Sequence, residues 1–72
     1  MPSRFTPRQT EIVTLIASGY SDKQIAQVLR VSTRTVRTQL ERLFATHGVH
    51  NRAQAVHLLA IFVRAADAPD VG

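Results

Sequence analysis

The sequence predicts an all-α fold, four short helices in one small bundle, on three observations. Apolar residues recur at i, i+3 and i+4 along most of the chain, the spacing of a single helix face. Thr6, Ser21, Ser32 and Asn51 stand where helices would begin, and Gln9, Gln24 and Gln54 follow three of them at capping-box distance. No stretch alternates apolar and polar residues as a competing strand would.

The first helix is expected over about 7–18. Thr6 caps it, Pro7 takes the first turn where a missing N–H costs nothing, and Ile12, Leu15 and Ile16 form its apolar stripe. Gly19 supplies the left-handed residue that ends it. The second, about 22–29, follows Ser21, with Tyr20 and Ile25 flanking the cap as a hydrophobic staple and Ile25, Val28 and Leu29 facing the core. After a break at Arg30–Val31, Ser32 caps a third helix over about 33–46, stapled by Val31 and Val36. Val36, Leu40, Leu43 and Phe44 form its buried face, and Gly48 closes it. Asn51 opens a fourth helix over about 52–65. A single domain is expected over 1–66, with 67–72 as a frayed tail. Ala26, small and close to the turn, would let the second and third helices approach each other.

Composition narrows the function. Nine Lys and Arg against five Asp and Glu leave a net charge of +4, which suits nucleic acid or an anionic membrane surface. The absence of cysteine excludes a disulfide scaffold and a thiolate metal site, and fits a reducing compartment. No apolar signal core opens the chain and no run reaches membrane-spanning length, so a soluble, cytoplasmic protein is expected. Seventy-two residues leave little room for an enclosed active site. With no nucleophile–base pair and no phosphate-cradling glycine loop, no enzyme is expected. His47, His50 and His57 lack an Asp, Glu or Cys at ligand spacing, so neither a metal nor another cofactor is expected.

Residues 21–44 carry the most information: two capped helices, a short turn, and a basic outer face on the second helix. That is the layout of a helix-turn-helix, whose second helix lies in the DNA major groove. The segments Phe5–Arg8, Glu11–Val13, Ala17–Gly19, Ser21–Ala26, Val31–Ser32, Thr35–Arg37, Gly48–Val49 and Asn51–Ala53 stand in a familiar order and spacing. Through them residues 5–56 resemble the LuxR-type (GerE-like) helix-turn-helix DNA-binding domain of bacterial transcription regulators. The resemblance implies a four-helix bundle with the third helix as recognition helix and the fourth as dimer contact. The chain departs from that pattern at Gln39, where a histidine is frequent, and at Thr46 and His47, where lysine and leucine are usual. Thr46 removes a positive charge near the DNA backbone, and His47 softens an apolar contact.

Opposite its buried stripe, the third helix exposes Arg34, Thr38, Glu41, Arg42 and Ala45, with Thr35 and Arg37 on the flanks. Arginine can chelate guanine, threonine can meet a thymine methyl, and glutamate can accept from cytosine. The resemblance implies that the position after Thr35–Val36 and those about one turn later read bases, which maps onto Arg37, Thr38 and Glu41. With Arg34 these are the expected base contacts, Arg37 foremost, and the alternative for Glu41 is an ion pair with Arg37 or Arg34. Phosphate contacts are expected from Ser21, Lys23, Ser32, Thr33, Thr35 and Arg42, around two helix N-termini that offer free N–H groups. At Asp22 only the backbone is expected to serve.

The fourth helix is apolar at nearly every position from Ala53 to Val63. One stripe would cover the core, and the resemblance assigns the surplus, Ala53, Val56, Ala60 and Val63, to a two-fold dimer. Fraying hydrophobics at a truncated edge, or a face meeting an absent domain, is the alternative. The leading expectation is a dimeric, sequence-specific regulator at the nucleoid. Its partners would be double-stranded DNA, a second copy, and RNA polymerase or an absent N-terminal sensor domain. No membrane role is expected, because the fourth helix has no basic flank. The rival readings are region 4 of a sigma factor and a protein-interaction module that dimerises with or blocks a related regulator. Met1 and its short lead fit a stand-alone regulator or the output domain of a longer one.

Overall fold

The computed structural model describes residues 4–67. They form α1 (Pro7–Ala17), α2 (Asp22–Leu29), α3 (Thr33–His47) and α4 (Arg52–Asp67), and no strand occurs among the described residues. Each start is a side-chain cap. The Gln9 N–H donates to Thr6 Oγ1 at 3.2 Å while the Thr6 N–H donates to Gln9 Oε1 at 2.9 Å. Ser21 and Gln24 repeat that reciprocal box on α2, at 3.2 and 2.8 Å. Ser32 Oγ accepts the Thr35 N–H at 3.0 Å. At α4 the Gln54 N–H donates to Asn51 Oδ1, but Gln54 Oε1 reaches past the cap residue to the N–H of His50.

The first three helices also end alike. Gly19 (φ 90°), Arg30 (φ 57°) and Gly48 (φ 64°) adopt left-handed backbone. The residues after them, Tyr20, Val31 and Val49, donate their N–H groups back to the carbonyls of Leu15, Ala26 and Phe44. This closes otherwise orphaned carbonyls at the helix end. Arg30 does so with a Cβ, at a cost of about 1–2 kcal/mol relative to glycine.

Two apolar clusters hold the helices. Ile12, Ile25, Ala26, Val36 and Leu40 form the first, with Leu15, Ile16, Leu29, Val31 and Phe44 packed on it. Phe5, Val13, Leu43 and Ala55 form the second, with Val49, Val56, Leu58, Leu59 and Phe62 against it. Helix α1 lies between them, turning Ile12 toward the α2–α3 pair and Val13 toward α4. The pair is thereby seated on α1, and α4 is braced on the opposite side of α1. Ala26 is buried beside the α3 side chains Val36 and Leu40, as its size and position near the turn predict.

Several expectations need correction. Val28 is 53% exposed and not a core residue. Each helical residue turns about 100°, so Val28 lies a quarter-turn from the face shared by Ile25, Ala26 and Leu29. Tyr20, expected to staple against Ile25, is 40% exposed, while Ile25 is fully buried. Conversely Val13, outside the expected α1 stripe, is fully buried, because α1 is packed on two sides. The helix bounds shift slightly: α1 stops at Ala17, α3 takes in His47, and α4 continues to Asp67. Ala65 and Ala66 favour helix, and the next breaker in the sequence is Pro69. Apart from Asp67, the expected tail 67–72 lies outside the described residues.

Candidate nucleic-acid interface

Val36, Leu40 and Leu43 anchor α3 by one face, and that register fixes what the other face presents. Arg34, Arg37, Thr38, Glu41, Arg42 and Ala45 all lie exposed on the opposite arc, with Thr35 and Gln39 half-buried at its edge. The four expected base contacts, Arg37, Thr38, Glu41 and Arg34, thus share one surface. Arg34, Thr35, Thr38, Gln39 and Arg42 line a shallow groove along it. Glu41 makes no ion pair within 4 Å among the described residues, so the alternative of a bridge to Arg37 or Arg34 does not hold.

The residues expected at phosphates gather at the helix starts, apart from Arg42. Ser21 and Lys23 are exposed at the head of α2, and Ser32 is exposed at the head of α3 with Thr33 and Thr35 half-buried behind it. Ser32 Oγ and Thr35 Oγ1 lie 2.9 Å apart and share one proton. One hydroxyl hydrogen of the pair therefore stays available to an outside acceptor. Both helices also direct unpaired first-turn N–H groups outward, at the positive end of their dipoles.

An acidic residue sits among these groups. Asp22 Oδ2 accepts from Arg37 Nε at 3.5 Å, and Asp22 Oδ1 lies 2.5 Å from Arg52 Nη2. Ser21, Asp22, Lys23, Thr33, Arg37 and Arg52 line one open groove where the heads of α2, α3 and α4 meet. The expectation that only the Asp22 backbone would matter missed this. It missed Arg52 altogether, since nothing in the spacing of these residues announces that three helices bring them together.

On α4, Ala55 is buried, and Leu58, Leu59 and Phe62 turn inward onto the second cluster. Of the four expected dimer residues, Ala53, Ala60 and Val63 are exposed, while Val56 is half-buried against the chain's own core. Ile61 joins the exposed set. At the far end of α3, His47 meets Phe5 edge-on at 4.8 Å between ring centroids, and Phe5 meets Phe62 the same way at 4.9 Å. His47 Nε2 is buried there with no hydrogen-bond partner. No group of three or more potential metal ligands forms among the described residues. None of the described helices is long and apolar enough to cross a membrane.

Comparison with known proteins agrees with this architecture. The family model of bacterial regulatory proteins, luxR family, matches residues 3–59. A protein of Escherichia coli K12, provisionally named HTH-type transcriptional regulator YhjB, is 46% identical over 54 residues, 75% of this chain and 27% of its own length. The HTH-type transcriptional regulator MalT of Yersinia pestis is 41% identical over 54 residues, 75% of this chain but 6% of its own. The chain therefore spans only a minor part of these curated relatives. No solved structure matches it. The four-helix bundle, its capped helix-turn-helix and the family match over most of the chain place this protein in the LuxR family of bacterial regulatory proteins, with a DNA-binding helix-turn-helix of that type.

Proposed function

We propose that this chain binds a specific DNA sequence as a two-fold dimer, with α3 in the major groove and α4 at the dimer contact. One observation carries the reading. The polar, largely basic arc of α3 is continuous with the heads of α2 and α3, so base-reading side chains and phosphate-binding N–H groups share one surface. Arg37, Thr38, Glu41 and Arg34 are assigned to base edges. Ser21, Lys23, Ser32, Thr33, Thr35 and Arg42 are assigned to phosphates.

A second copy would cover Ala53, Ala60 and Val63, with Val56 at the inner rim of that contact. The two α3 helices would then enter successive major grooves, about 10 base pairs apart. The site of action is the cytoplasmic nucleoid. Partners beyond DNA and a second copy are RNA polymerase or a sensor domain of the kind that longer regulators carry. No catalytic step is assigned to any residue.

Selection from a random duplex library at near-physiological salt, followed by sizing of the complex, tests this. The expected result is an enriched motif of two half-sites bound by two chains. A folded protein that enriches no motif would overturn the reading in favour of an interaction module.

A further inference from the structure

Asp22 is out of character for a surface that meets phosphate, and its surroundings explain how it is tolerated. Its side chain is only 14% exposed, wedged between Arg37 of α3, 68% exposed, and Arg52 of α4, 44% exposed. Each carboxylate oxygen serves one guanidinium, and Oδ1 has no contact with solvent. Two cations against one anion leave the cluster net positive, so it can lie beside a phosphate.

The atoms used by Arg37 matter more. It meets the carboxylate through Nε, which leaves both terminal nitrogens uncommitted. Those are the donors that form a bidentate pair with guanine O6 and N7. An arginine tethered by Nε also has fewer rotamers to lose when it meets a base, whereas an untethered one is free to seek the nearest phosphate. The Arg37 pair is long, at 3.5 Å, and its guanidinium is largely exposed, so that contact adds little to folding stability. Arg52 accounts for the burial of Asp22, whereas a purely structural role is a poor account of the Arg37 contact.

We propose that Asp22 is a positioning residue for sequence readout: it holds Arg37 by Nε so that the free guanidinium edge faces a base, while Arg52 cancels its charge. This rests on the reading of Arg37 as a base contact. It adds two residues, Asp22 and Arg52, to the determinants of specificity, and it links the head of α4 to the reading helix.

The test measures binding of the full chain, as wild type, Asp22→Asn, Arg37→Ala and the double variant, to the duplex enriched by selection and to a random duplex of equal length, over a range of salt. Asp22→Asn keeps the shape, removes the charge and releases both arginines. Random DNA should then bind more tightly, with the slope of log K against log salt steeper by about 0.9 for each new phosphate contact. The ratio of specific to random affinity should fall about tenfold, in the range of one lost bidentate base contact. In the Arg37→Ala background, Asp22→Asn should leave that ratio unchanged. Asp22→Glu should restore part of it.

In the free protein, the Arg37 Nε–H resonance should move on Asp22→Asn, a change that general loss of stability would not confine to one arginine. If Asp22→Asn melts below the assay temperature, Asp22→Ser serves in its place. If Arg37→Ala lowers the ratio and Asp22→Asn does not, the positioning role is overturned while Arg37 remains a base contact. If Arg37→Ala itself leaves the ratio unchanged, Arg37 reads no base, and both assignments fall together.

Discussion

Arg37 and Arg42 are both exposed on α3, yet they are expected to fail differently when cut back to alanine. Arg37→Ala should lose about 1–3 kcal/mol on the selected duplex and relax the preference at one base pair. Arg42→Ala should weaken selected and random DNA alike and reduce the salt slope by about 1, as loss of a phosphate contact does. Competition titrations on single-base variants of the selected site distinguish the two outcomes. His47 concerns stability instead. Its Nε2 is buried without a partner beside Phe5 and Phe62, so the imidazole keeps one edge-on contact with Phe5 and a looser, tilted one with Phe62 while leaving one polar atom unsatisfied. Buried, unpaired polar groups cost about 1–3 kcal/mol, more than the roughly 0.5–1.5 kcal/mol of an aromatic edge contact. His47→Leu should therefore stabilise the domain by about 1 kcal/mol, raising the melting temperature by roughly 4–8 °C for a chain of this size. A lower melting point would show that the edge-on contact with Phe5 outweighs the unpaired nitrogen.

The helices of this protein are defined at their ends. Both boxes at Thr6 and Ser21 form as the sequence predicts, and so does the Ser32 cap. These signals are legible because each is complete within four residues and depends on no distant partner. The C-terminal ends are legible only in part: Gly19 and Gly48 mark two of them, but Arg30 carries no sequence signature of a left-handed residue. The geometry at Gly48 is open, with nothing within 4 Å of an added Cβ, so only backbone strain opposes a side chain there. Gly48→Ala should destabilise the domain by about 1–2 kcal/mol, and Arg30→Gly should recover a similar amount, offset partly by the greater freedom of glycine in the unfolded chain. Chemical denaturation with an unchanged slope against denaturant checks both. If Arg30→Gly destabilises, the arginine side chain must contribute more than its strained backbone costs.

At the scale of the whole molecule, the apolar surplus of α4 separates into two faces. Ala55, Leu58, Leu59 and Phe62 serve the chain's own core, while Ala53, Ala60, Ile61 and Val63 are left outside. Ala60→Glu, at an exposed position, should leave the melting curve unchanged. It should reduce the complex with a two-half-site duplex from two chains to one, and weaken binding by about 100-fold or more as linkage between the sites is lost. Sedimentation of the complex checks this, and two bound chains with undiminished affinity would remove α4 from the dimer contact. Local chemistry in the sequence determined how many helices there are and where they begin, because caps and helical periodicity act over a few neighbouring residues, and the order and spacing of the matching segments made the family legible. Tertiary packing decided the rest. Wedging α1 between two clusters buried Val13, and the rotation of α2 turned Val28 outward. Docking the heads of α2, α3 and α4 together placed Asp22 between Arg37 and Arg52. Such contacts depend on the relative rotation of helices distant in the chain, which residue spacing does not record.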